Sequence, residues 1–155
     1  MLENQLRYIE RIKEIYARLE PGAELDILET LIRAVIRPPH GRGAVLMIVC
    51  KSKITAMVFH ADHIGIDRLA VVRRGIVRMN KSLPESAAFG ISGTGDSLVF
   101  AAEHRLRKSD PADDARLAAF CTEVFRTAPA RLEEVAAAPA EEAGKPIRQA
   151  LKKNL

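Results

Sequence analysis

A chain of 155 residues and 17.1 kDa is long enough for one domain with a sizeable core, since domains cluster near about 100–150 residues. Hydrophobic residues at 48% and charged residues at 28% exclude collagen-like, mucin-like and wholly disordered chains. A net charge of +4 permits an acidic partner without requiring one, and the absence of Trp weakens any aromatic platform for single-stranded nucleic acid.

Two cysteines, Cys50 and Cys121, cannot build a disulfide framework, and each sits in an apolar run, as a buried thiol in a reducing compartment would. The first residues carry charge where a signal peptide needs an apolar core, and no apolar stretch approaches the ~18 residues that span a membrane. A cytoplasmic chain with no membrane partner is the expectation.

Leu2, Leu6, Ile9, Ile12, Ile15, Tyr16 and Leu19 recur at helical spacing up to Pro21-Gly22. Residues 25–36 are ambiguous. Leu25, Leu28, Leu31, Ile32 and Val35 fit a helix, while the β-branched end suits a strand; the helix is favoured. Residues 38–43 are a Pro- and Gly-rich break. The continuous apolar run 44–50 suits a strand with both faces at least partly covered, and 54–60 returns as its hairpin partner. Residues 66–81 revert to helical spacing through Ile66, Leu69, Val72, Ile76 and Met79, and Pro84 closes the element.

Two further strands, 87–92 and 97–104, flank Gly93-Thr94-Gly95-Asp96, whose glycines suit a tight hairpin. Ser109-Asp110-Pro111 starts a last helix, with Asp113 and Asp114 at its positive end. Leu117, Cys121, Val124, Ala128, Leu132 and Val135 form its stripe, which Pro129 is expected to kink or split. Residues 136–155 have little to bury and read as a loosely held basic tail. The order α-α-β-β-α-β-β-α, with strands joined by hairpins, predicts an α+β fold: a single domain over 1–135, helical through 1–36, around a small antiparallel sheet.

Chemistry-bearing residues are sparse. His60-Ala61-Asp62-His63 offers two imidazoles and a carboxylate, but a metal needs three or four ligands, and in a strand the two histidines point to opposite faces. The glycines of 90–97 join two strands with no Lys-Ser/Thr sequel, so a turn is preferred to a phosphate cradle. No nucleophile has a credible base. A non-enzyme is expected, with no catalytic residues, metal or cofactor. Charge remains: 66–81 carries Arg68, Arg73, Arg74, Arg78 and Lys81 against Asp67 alone, and Arg74, Arg78 and Lys81 share the face opposite the apolar stripe.

The helix ending in Met79-Asn80, the strand pair around Gly90 and Gly95-Asp96, the alternating strand 98–105, the acidic Asp110 to Asp114 cap and the long closing helix resemble the Tir-chaperone fold. That superfamily includes class I type III secretion chaperones of the CesT kind and YbjN-like putative sensory transduction regulators. The resemblance covers 44–135. It implies a non-enzymatic, protein-binding α+β module, usually a homodimer, in which an extended partner segment wraps the dimer and the middle helix makes the dimer contact. Carried onto this chain, Leu69, Val72 and Ile76 become the expected interface residues. The basic charge and the helical run at 25–36 depart from the secretion chaperones and favour a YbjN-like regulator. A nucleic-acid-binding accessory protein using Arg74, Arg78, Lys81 and the tail cations Lys145, Arg148, Lys152 and Lys153 is the alternative.

Overall fold

The computed structural model of the chain describes residues 2–30, 34–37, 45–92, 95–107 and 111–138. The break at 38–43, the Gly93-Thr94 half of the hairpin turn, the Ser109-Asp110 cap and the tail beyond residue 138 lie outside the described residues. The fold is α+β. Helix α1 (Glu3–Leu19) leads into strands β1 (Asp26–Glu29), β2 (Ala34–Arg37), β3 (Val45–Val49) and β4 (Lys53–His63). A 3-10 turn at Ile66–Arg68 opens helix α2 (Leu69–Asn80). Strands β5 (Ala87–Ile91) and β6 (Ser97–Arg105) follow, then helix α3 (Pro111–Thr122), a π-helical turn (Glu123–Thr127) and helix α4 (Ala128–Ala137).

The predicted helix at 25–36 is a correction: this stretch holds two short strands, β1 and β2, paired with each other in antiparallel register from Asp26 opposite Arg37 to Glu29 opposite Ala34. The helical spacing of its leucines loses to pairing of β2 against β3, which satisfies a row of backbone groups that an isolated helical turn would leave to water. The sheet therefore has six strands in the order β1-β2-β3-β4-β6-β5, every neighbouring pair antiparallel.

Side-chain alternation sorts each strand onto two faces. Met47, Val49, Ile54, Ala56, Val58, Phe89, Leu98, Phe100 and Ala102 point to one face and are buried. Every described helix adds residues to that same cluster: Ile9 and Ile12 from α1, Val72 and Ile76 from α2, Leu117 and Cys121 from α3, Leu132 and Val135 from α4. The helices thus lie together on one side of the sheet.

Two details adjust the sequence pattern. In α1, Leu2 and Leu6 are turned outward, 50% and 43% exposed, while Gln5 and Tyr8 face inward. Gln5 is satisfied there because its Oε1 accepts from Leu2 N at 2.9 Å and its Nε2 donates to Val49 O at 3.4 Å. In the closing helix, Pro129 has no N–H to give its preceding turn, and its ring crowds the carbonyl four residues back. The wider π turn immediately before it absorbs both, and the buried stripe continues through Val124 and Ala128.

Candidate functional site

The two edges of the sheet differ. On the β5 edge, Asn80 at the end of α2 donates from Nδ2 to Phe89 O at 2.9 Å and accepts at Oδ1 from Phe89 N at 2.7 Å. Ala87 N is taken by Pro84 O at 3.1 Å. The chain closes this edge with its own groups, which is how natural sheets blunt strand addition. On the other edge, β1 pairs only with β2 among the described residues. A groove of about 530 Å³ runs between it and the end of α1, lined by Lys13, Tyr16, Leu25, Ile27 and Glu29 among others. Tyr16 stacks at a tilt on Phe125, ring centroids 4.9 Å apart, and burial and the neighbouring Glu20 both hold its hydroxyl above the ordinary phenol pKa.

The outer face of the sheet is apolar. Cross-strand register places Leu46, Met57, Ala101 and Ala88 in one row, Phe59, Val99 and Gly90 in the next, and Ile48 beside Thr55 and Glu103 in a third. Leu28 on β1 belongs to the Ile48 row and is 66% exposed. Leu46, Ile48, Met57, Phe59 and Val99 are half-buried among one another, since no described helix packs over them. Charge appears at its margins: Lys53 pairs with Glu103 at 2.8 Å beside Arg105 at one end, and Asp26 stands two residues from Leu28 on β1.

Residues expected at the dimer contact are placed elsewhere. Val72 is 1% and Ile76 9% exposed, both inside the chain's own core, and Leu69 is half-buried. A second copy could reach Val72 or Ile76 only by opening that core. What α2 and its leading turn present outward is Ile66, Val77 and the cations Arg73, Arg74, Arg78 and Lys81, all exposed.

His60, Asp62 and His63 form the end of β4, across the irregular register between Phe59 and His63. The two imidazoles part company. His60 faces inward, 3.2 Å from Glu133 on α4, and His63 faces solvent, 3.3 Å from Asp96. Among the described residues no group of three or more His, Cys, Asp or Glu is placed to hold a metal ion.

The structure also assembles a trio with no spacing signal in the sequence. Tyr8 on α1 donates its hydroxyl to Asp113 Oδ2 and accepts from Arg107 N at 3.0 Å, while His104 Nε2 on β6 lies 3.3 Å from Asp113 Oδ1. Burial lowers the His104 pKa, with Arg116 and Arg107 pushing the same way, and burial raises that of Asp113. The trio ties α1 and α3 to β6. Cys121 is fully buried, its thiol pushed up to about 12 by burial alone.

No described helix is long and apolar enough to cross a membrane. No protein-family model matches the chain, and no curated protein matches it either.

Proposed function

We propose that this chain is a non-enzymatic protein-binding module, chaperone-like or regulatory in the YbjN or CesT manner, that acts as a dimer and holds an extended segment of a protein partner along β1. One observation carries the reading: the chain seals its β5 edge with Asn80 and Pro84 but leaves β1 without a second strand among the described residues, beside a groove that mixes Leu25, Ile27 and Tyr16 with Lys13, Glu24 and Glu29. An added strand would take main-chain hydrogen bonds from the edge and place alternate side chains into the groove against Leu25, Ile27 and Tyr16. The element order, with a middle helix between hairpin-linked strands and a long closing helix, agrees with the Tir-chaperone resemblance, and two free cysteines suit a cytoplasmic setting.

The test is fluorescence anisotropy of an array of labelled extended peptides, alternating apolar and polar residues, against the whole chain. Ile27→Asp should weaken the best binder at least tenfold, equivalent to about 1.4 kcal/mol. An array with no binder, or binders indifferent to Ile27→Asp, contradicts the reading. The exposed cations of α2 support a second reading, nucleic-acid binding, whose affinity would fall steeply with added salt and with Arg74→Ala and Arg78→Ala together.

A further inference from the structure

The outer face of the sheet invites an occupant of its own, because Leu46, Ile48, Met57, Phe59 and Val99 form a contiguous, half-buried apolar surface that no described element covers. We propose that a second copy of this chain covers it, the two sheets stacking face to face with the helices outermost. This rests on the protein-binding reading above and names the partner of one further surface.

Three properties favour a second copy. The centre of the face, from Leu46 and Met57 across to Val99, carries no charge, so a two-fold axis through it brings no like charges together. The charges that border it, Lys53, Glu103 and Arg105 at one end and Asp26 on β1, are of both signs, and a two-fold axis running across the strands sends the two copies' Lys53–Glu103 pairs to opposite ends. The area also suffices: six strands of 4, 4, 5, 11, 5 and 9 residues at ~3.4 Å rise and ~4.8 Å spacing give on the order of 600 Å² per copy, the lower end of a standard stable interface. Packed at the usual ~10 Å between sheets, the half-buried side chains of each face would complete the burial of the other. The face is remote from the β1 groove, which lies on the helix side of the sheet, so a dimer would present two grooves.

Sedimentation equilibrium on the whole chain tests the proposal. The expected mass is twice 17.1 kDa, and Met57→Glu should give a monomer with an unchanged circular dichroism spectrum. A wild-type chain that is monomeric at its highest workable concentration overturns the proposal, as does a Met57→Glu dimer. Should Met57→Glu fail to fold, the milder pair Met57→Thr and Val99→Thr should raise the dimer dissociation constant at least tenfold, and an unchanged constant overturns the proposal. A chain ending at residue 138 that dimerises when the full chain does not would show the tail to be the occupant, which also overturns it. Peptide binding measured on the same samples separates the two claims: binding that persists in a monomeric wild type leaves the β1 reading standing when the dimer fails.

Discussion

Asn80 and Phe89 hold each other in both directions, the side-chain amide of one answering the backbone N–H and C=O of the other at 2.7 and 2.9 Å. An amide is the one short side chain with a donor and an acceptor spaced like a neighbouring strand, so α2 ends by imitating a strand that is not there. Asn80→Ala should cost about 1–3 kcal/mol by chemical denaturation, because Phe89 keeps two half-buried backbone groups with no partner. Asn80→Asp keeps the acceptor and loses the donor. It should fall between wild type and Asn80→Ala, and both variants should aggregate faster through the opened β5 edge.

Gly75 on α2 packs against Val135 on α4: a Cβ there would sit 3.2 Å from Val135 Cγ1, on a side chain that is 3% exposed. Alanine would gain about 1 kcal/mol of helix propensity over glycine. The packed, β-branched Val135 has little room to move, so Gly75→Ala should lower stability by about 1 kcal/mol net, a cost of overpacking. Gly75→Ala with Val135→Ala should be less destabilising than the sum of the two single changes, and additivity in that cycle would show the contact to be unimportant.

The buried trio makes stability depend on pH. His104 titrates below its ordinary 6.5 in the fold, so its contribution is full above 6.5 and is lost as pH falls through the lowered value. Asp113 works the other way: its raised carboxyl contributes below its ordinary 3.8 and loses that contribution as pH rises through the raised value. The thermal midpoint should therefore fall as pH drops from 7 through the lowered His104 value, and Asp113 should offset part of the loss as pH falls through its own raised value. His104→Gln should flatten the slope between pH 7 and 5. A midpoint that rises on acidification through that range would contradict this account.

Cys121 should resist thiol reagents at neutral pH while the chain is folded, because the thiolate is both disfavoured and inaccessible. Cys50, half-buried at the end of β3, should react first. Labelling of Cys121 in denaturant should follow global unfolding by circular dichroism, and fast labelling in buffer would place that helix stripe outside the stable core.

The helices and the two central hairpins were legible because their apolar spacing and turn residues agree. Leu117, Cys121, Val124, Ala128, Leu132 and Val135 are all buried, as their spacing required. At 25–36 the leucines satisfied a helical period by coincidence, and strands of only four residues are too short for alternation to outvote it. Val72 and Ile76 show a different limit. Sequence marks an apolar stripe on a helix but not whether the chain itself or a second copy covers it. The run at 44–50 suited a strand at least partly covered on both faces, and it is: Met47 and Val49 are buried under the helices, and Leu46 and Ile48 opposite are half-buried. Tyr8, His104 and Asp113 meet only through the packing of α1 and α3 on β6, which no local spacing encodes.

The most direct test of the central claim is amide hydrogen exchange on the whole chain, with and without the tightest-binding extended peptide of the array. Protection should appear at residues 26–29 of β1 and not at 87–91 of β5, whose outward groups Asn80 and Pro84 already hold. Protection confined to β5 or to α2, or none at β1 under saturating peptide, would contradict it.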